Sequence, residues 1–580
     1  MGDLFNKNFV IAAVIAFLII VFWDNLFLKD IREKEAALDK QASQTVAVGG
    51  HNSQAQNINT DTSMPQLQNL PRISIANSSV QGSLSLQAGR IDDIALLHFQ
   101  ETVDKNSPNI HLFNKKGTKD AYFFESGWLS ESKIDLPGAN TVWSVEAGSS
   151  NKLTPETPVV LVWKNSQGIL FRKHISIDDL YMITIKDEVI NHSKNELNIN
   201  PFALIVRHGD PQTRDLFISH EGFAGHVGGS LERIKYKDAL SETFKFETQG
   251  GWIGFTDQYW LSALVLDNSH HYTTRFLSYK DSQNINNFQL DFLGKDTRLL
   301  VGESFAKTTR VFVGPKEYNL LSKYDDMFNI GKFTDAIDFG WFFFITKPMM
   351  MFLLFIYNFV GNFGYTILIF TIIIRAVILP IAYKSYVSMA KMKELQPKMK
   401  ELKTLYKGDM QKYNKEIANL YKKERVNPLS GCLPLLLQIP IFFSIYKVIF
   451  ISIEMRHAPF IGWIRDMSAM DPSNIFTLFG LIPITLPSFL HIGILPILMG
   501  ITMFFQQKLS MSQSLEPMQQ RIMNMMPIVL VIVLASFPAG LVIYWVWSNI
   551  ISIIQQLIIN KIVHKEFGLR RKKHKVKASS

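Results

Sequence analysis

The chain changes its hydrophobic rhythm several times. A first apolar run, Phe9–Phe22 (FVIAAVIAFLIIVF), is extended by Trp23 and Leu26–Leu28 and followed by no small-residue cleavage site. That pattern predicts an uncleaved signal-anchor span over residues 1–28. Gln41–Pro71 is rich in Gln, Asn, Ser and Thr with almost no large apolar residue, so 29–71 reads as a flexible linker. From Ile73 to about Val313 the rhythm becomes short alternating runs such as GSLSLQ, TPVVLVWKN, LYMITIKDEV and ALIVRHG, each bounded by turn residues. Period-two alternation without long helical periodicity predicts a large antiparallel β-sandwich across 72–330.

Beyond residue 335 the apolar runs are nearly continuous. Gly364–Ala382 (GYTILIFTIIIRAVILPIA) covers roughly 28 Å at helical rise, the hydrocarbon thickness of a bilayer. Arg375 lies past its middle. A cation there costs about 2.5–3.5 kcal/mol on insertion scales, so it needs water, a partner or a short route to the surface. No carboxylate lies inside another apolar span; Glu454 stands only at the end of one. Two readings follow: a hydrated groove, or an arginine that snorkels past Lys384.

Asp335–Val360 is long enough to cross but holds Lys347-Pro348 and Asn358, and crossing parity favours a helix lying in the membrane interface over 335–360. Tyr383–Arg425 is Lys-rich, with Met389, Met392, Leu395, Met399, Leu402 and Leu405 at helical spacing and a break at Gly408-Asp409. It predicts a helical hairpin over 383–427. Pro428–Ile453 is the next span and contains Gln438 and Lys447. Glu454–Asn474 is polar, and Phe476–Leu490 is apolar but broken by Pro483 and Pro487. Ile492–Gln507 and Ile522–Phe537 are short, about 24 Å each, and such helices thin the bilayer around them. Leu541–Ile559 is the last span. Trp545, Ser548, Asn549, Ser552, Gln555 and Gln556 form a polar face on it, and Thr371 stands one turn before Arg375. Two polar stripes beside an unpaired arginine favour the groove over snorkelling.

Charge orients these spans. The net charge of +10 at a mean hydropathy of +0.08 is concentrated in two places. Tyr383–Asn427 carries 12 Lys/Arg against 5 Asp/Glu, and Lys561–Ser580 carries 8 against 1. Six spans with the β domain outside place both clusters, and both termini, in the cytoplasm. Lys29, Arg32 and Lys34 after the first run oppose this locally. The basic tail Arg570–Lys577 suits ribosome docking, or equally orientation and anionic-lipid binding. One cysteine, Cys432, excludes an intrachain disulfide and a cysteine-ligated metal site. GHVGGS (Gly225–Ser230) lacks the Lys-Ser/Thr of a phosphate loop, and His220-Glu221 has no second histidine of a zinc motif. No cofactor is expected.

Several stretches resemble the YidC-type membrane protein insertases of Gram-negative bacteria: FVGNFGYTI, IIIRAVILP, SMAKMKELQPKMKEL, KKERVNPLSGCLPLLLQIPIF, EMRHAPF, LPILMGITMFFQQK, EPMQQRIM and FPAGLVIYWVWSNIISIIQQ. GWIGFTDQYW and VGPKEY in the β domain match more loosely. The resemblance implies a polytopic α-helical membrane protein with a five-helix insertase core plus a large periplasmic all-β supersandwich domain. It implies insertion of client transmembrane segments into the inner membrane, alone or with the Sec translocon, with a chaperone role in folding and no chemical catalysis. In that reading Arg375, Thr371, Gln438, Gln506, Ser548 and Ser552 line the hydrophilic groove, with Gln507 an alternative to Gln506. Trp545, Tyr544 and Met503 contact the client. Nascent membrane proteins are the clients; ribosome and signal recognition particle receptor would meet the hairpin and basic tail. The apolar Phe476–Leu490 stretch departs from the family pattern. Met389, Met392, Met399, Met499, Met503, Met523, Met525 and Met526 offer either an adaptable client surface or ordinary core packing. A secondary transporter is the main rival and would show an internal repeat, which is absent. A hydrolase would need a nucleophile–base pair or metal ligands at workable spacing.

Overall fold

The computed structural model describes residues 71–211, 213, 219–424, 426, 433–477, 492–510 and 517–578. The expected signal anchor, and residues 478–490 of the apolar insertion, lie outside them, as does nearly all of the linker.

One strand, Trp260–Lys280, organises the β domain. Its first part pairs antiparallel with Ser304–Pro315, from Trp260 opposite Pro315 to Val265 opposite Arg310. Its last part pairs with Asn286–Gly294, from Tyr272 opposite Gly294 to Lys280 opposite Asn286. Strand Phe244–Thr256 follows it along both parts and absorbs the change at a bulge between Gln249 and Gly251. From Ser304–Pro315 the pairing runs on through Met182–Asn191 and Ile169–Ile177 to Val159–Lys164. From Asn286–Gly294 it runs through Leu197–His208 to Tyr122–Leu129. Burial alternates along Ile169–Ile177, as the period-two reading requires. Aromatic rings fill the core: Phe223 lies 4.8 Å from Phe255 and 5.2 Å from Phe276. Several of the charges placed inside are paired. Lys173 meets Asp187 at 2.6 Å and also the Ser126 carbonyl, while Arg275 grips Asp291 at 2.8 and 3.0 Å.

Helix α1 (Tyr318–Phe328) leaves the last strand and leads to the membrane body. That body comprises α2 (Phe343–Val360), α3 (Phe363–Leu405), α4 (Met410–Lys423), α5 (Leu433–Ile451), α6 (Ile494–Ser510), α7 (Pro517–Leu534) and α8 (Ala539–Ala578). Among the described residues three of these helices are long and apolar enough to cross a membrane: α2, α3 and α8 over Ala539–Lys565. Apolar stretches in α5, α6 and α7 are shorter, at Gln438–Ile451, Ile494–Leu509 and Met523–Leu534.

Two boundaries differ from the expectation. The helix expected from residue 335 begins at Phe343, because Gly340 adopts a left-handed φ of 70° and Phe333–Ala336 is a separate 3-10 turn. The arginine span and the first arm of the hairpin form one helix of 43 residues, which passes Pro380 and Pro397 without ending. Polarity changes near Lys384; backbone conformation does not. The hairpin itself turns at Gly408-Asp409, and α4 returns along α3 with Lys398 paired to Glu424 at 3.1 Å.

The polar stretch after α5 closes the ends of other helices. Asp471 accepts from the Leu495 N–H at 2.8 Å and Ser473 from the Ile494 N–H at 2.9 Å, capping α6. The Met467 and Ala469 carbonyls accept from Gly540 and Ala539 at 3.0 and 2.7 Å, tying down the start of α8.

Candidate functional site

Arg375 emerges from α3 toward α8. Its Nε donates to the Ser548 hydroxyl at 3.0 Å, and Nη2 contacts the same oxygen. Among the described residues no carboxylate stands within ion-pair distance of it, and its side chain is half-buried. Around this contact side chains of α8 are tied to backbone carbonyls of α3. Trp547 Nε1 donates to the Leu368 carbonyl at 3.1 Å and Gln555 Nε2 to the Arg375 carbonyl at 3.5 Å. Across from them Gln438 of α5 donates to the Tyr544 hydroxyl at 2.8 Å. A guanidinium, a hydroxyl, a phenol and a carboxamide thus come from three helices to one depth of the bundle. No member of this set is a nucleophile paired with a base, and all except Arg375 are neutral.

The other candidates divide. Thr371 is buried, and its hydroxyl donates to the Ile367 carbonyl of its own helix at 2.6 Å. Ser552 does the same toward the Ser548 carbonyl at 2.8 Å. These two hydroxyls are satisfied locally, the ordinary fate of such groups in a helix. Tyr544 is 2% exposed, so it forms the wall behind Gln438 and presents no open face. Trp545 is half-buried and packs edge-on against Phe442 at 4.6 Å. Met503 and Gln506 are half-buried on α6. Gln507 donates to the Met523 carbonyl at 2.6 Å and links α6 to α7.

A second polar cluster was not visible in the sequence as a unit. Lys447, near the end of α5, reaches Asp338 at 2.8 Å, and Arg233 of the β domain approaches the same carboxylate at 3.3 Å. Burial pushes the Asp338 carboxyl up, but the two cations override it and hold it at about 2. Gln258 donates to the Phe450 carbonyl at 2.8 Å. Arg456 donates to the Gln100 and Glu101 carbonyls at 2.7 and 3.1 Å and lies over the ring of Trp260. Glu454 accepts from Ser452 and is buried beside Glu317, whose carboxyl is raised to about 7 by burial and by Glu454. Burial lowers Lys316 to about 8. VGPKEY, GWIGFTDQYW and EMRHAPF therefore meet at one joint. FVGNFGYTI joins them: a Cβ on Gly364 would lie 1.8 Å from the Phe460 ring, so only glycine leaves that ring room. The signal for this cluster was Lys447, a cation in an apolar span that calls for an anion from another segment.

A β-sandwich bolted to a bundle of apolar helices, with one arginine held among neutral polar groups inside the bundle, defines an integral membrane protein whose chemistry is polar contact at membrane depth. Comparison with known proteins agrees. Residues 355–566 match the 60Kd inner membrane protein family and residues 72–352 the YidC periplasmic domain. The membrane protein insertase YidC of Bradyrhizobium diazoefficiens is 42% identical over 593 residues, covering 96% of each chain. That of Rickettsia bellii is 43% identical, covering 96% of this chain and all of its own. A crystal structure of an active YidC insertase with its first transmembrane domain resolved covers 84% of this chain and 92% of that one, at 17% identity and a TM-score of 0.36, too low to add to the argument. The sequence relatives suffice: the chain belongs to the YidC family of membrane protein insertases, proteins of the inner membrane rather than enzymes.

Proposed function

We propose that this chain moves client transmembrane segments from the cytoplasm into the inner membrane along a hydrophilic groove whose floor is the Arg375–Ser548 contact. The observation that carries this reading is that Arg375, deep in an apolar helix, meets a neutral hydroxyl and no carboxylate among the described residues. A cation left with spare donor capacity draws water and can receive the polar flank of a client. Gln438 and Gln506 extend the polar lining. Thr371 and Ser552 shape it by packing, since their hydroxyls are committed to their own helices. Trp545 and Met503 offer the apolar edge along which the client's hydrophobic segment slides into lipid. Tyr544 acts behind the lining by orienting Gln438.

The short helices α6 and α7 favour a locally thin bilayer, which shortens the polar flank's path. The orientation that follows from charge puts both termini and the α3–α4 hairpin in the cytoplasm, with the first of six spans in the N-terminal run and α2 lying in the interface. The hairpin and the basic tail are the surfaces for ribosome, signal recognition particle receptor and anionic lipid. Cooperation with the Sec translocon and assistance in client folding belong to the same reading.

The test is site-specific photocrosslinking from position 545 to a stalled single-span nascent client, in cells depleted of their own insertase. Crosslinks that vanish when the client's apolar segment is replaced support the path. Full complementation without crosslinks would place the path elsewhere.

A further inference from the structure

Helices α6 and α7 enclose a crevice that none of the groove residues lines. Ile497, Ile501, Phe504 and Phe505 face Ile528 and Val531 across a cavity of about 490 Å³. Gly500 sets its depth, because a Cβ there would lie 2.4 Å from Val531 Cγ2. Met503 and Gln506 sit at other positions around α6, so the crevice and the groove use different faces of one helix.

The crevice is apolar along its length and cationic at one end. Lys508 follows Phe504 by four residues on α6, and its ammonium lies 6.0 Å from the Phe504 ring. Arg521 precedes Asn524 by three residues on α7, hence one turn beyond it on the same face. The two helices run antiparallel, and Gln507 bonded to the Met523 carbonyl fixes their ends side by side. Lys508 and Arg521 therefore flank the same mouth. Asn524 stands between them and the apolar floor, about one turn deeper than Arg521. The sequence of surfaces is two cations, a carboxamide, then a slot of aliphatic and aromatic side chains. A phospholipid with an anionic headgroup has the matching sequence of phosphate, glycerol esters and acyl chain.

We propose that the α6–α7 crevice binds one anionic phospholipid, its phosphate between Lys508 and Arg521 and an acyl chain in the slot. The site goes beyond the groove and does not depend on the client path.

The test uses the full chain in phosphatidylcholine vesicles containing a trace of phosphatidylglycerol or phosphatidylcholine that carries a photoactivatable group on one acyl chain. Peptide mapping by mass spectrometry reads the labelling of residues 497–505 and 528–531. We expect the phosphatidylglycerol probe to label these segments at least five times more than the phosphatidylcholine probe. The double variant Lys508→Gln/Arg521→Gln should bring both probes to the same level, with an unchanged thermal melt showing that it is folded. Lys508→Arg/Arg521→Lys should keep the preference. Equal labelling of the unaltered chain by both probes would mean ordinary contact with bulk lipid and overturn the site. A preference that survives in the folded double Gln variant would overturn the assignment of the two cations. Labelling by both probes displaced by a stalled client would make the crevice a client surface and overturn the proposal.

Discussion

Two cations stand inside apolar helices of the same bundle and are treated in opposite ways. Lys447 of α5 has a carboxylate at 2.8 Å, and its side chain is 12% exposed. Arg375 of α3 has a serine hydroxyl, and neutral polar groups stand nearby at the same depth. A buried charge with a matched counter-ion is committed, because moving either partner uncovers the other. A charge met only by neutral dipoles keeps interaction free energy in reserve for something that arrives later. The first arrangement holds a domain in place; the second suits a transient guest.

Breaking the matched pair should have the largest effect. Asp338→Ala leaves Lys447 and Arg233 facing one another without an anion, and should destabilise the joint by about 3 kcal/mol. Denaturant melts and amide exchange at the end of α5 would read this. Asp338→Leu with both Lys447→Met and Arg233→Met should recover most of the loss, since an apolar set needs no counter-ion. An unaltered melt for Asp338→Ala would show that the ion pair has no structural role.

The unmatched cation should behave in reverse, with function falling and stability barely moving. Arg375→Ala should lower insertion in a depletion-complementation assay by roughly tenfold or more, on the scale of carrying a polar flank through apolar surroundings. Arg375→Lys should keep much of the activity, because it preserves charge and hydration. Equal growth for the Ala variant and the unaltered chain would remove the arginine from the mechanism.

The smallest effect concerns pH at the joint. Glu317 is raised from 4.5 to about 7 by burial and the neighbouring Glu454. The folded state thus holds a proton that the unfolded chain releases near pH 4.5. Its stabilising contribution is complete below that value, declines as pH rises through about 7, and changes no further above. Buried His220, held at about 4, acts with the opposite sign over this window, so the difference is what counts: between pH 5 and 7.5 the melting temperature of the unaltered chain should fall by on the order of 2 °C relative to that of Glu317→Gln. A Gln variant with the same slope would assign the proton to another group.

The two regions also differ in how far the sequence discloses them. Alternation such as ILFRKHISI announces a strand because one face is buried, and Arg375 announces itself because nothing apolar tolerates it. The polar stripe containing Ser548 was legible for the same reason. The pairing of Arg375 with Ser548 in particular was not, since it depends on the rotation of α8 against α3. The joint was harder still. Arg233, Gln258, Asp338, Lys447 and Arg456 come from segments up to more than two hundred residues apart, and all but Lys447 look alone like ordinary surface or boundary residues. Tyr544 shows the opposite failure: adjacent to Trp545 in sequence, it points about 100° away around the helix and is buried. The span was expected to end at Ala382, where the helix runs on, because hydropathy reports the surroundings of a helix and says nothing about whether its hydrogen bonds continue.

That uninterrupted helix has a mechanical consequence. At 1.5 Å per residue its 43 residues make a shaft of roughly 65 Å. It carries Arg375 partway along and Glu394 farther on, where Glu394 grips His564 of α8 at 2.6 Å. Ala382, Tyr386 and Ala390 pack on Ile559 and Val563 between those points. The arginine is therefore mounted on a braced pair of shafts, and a torque applied at the hairpin turns both together. A load that docks on the hairpin would be felt at Arg375 as rotation of its mount, with no loop in between to absorb the twist.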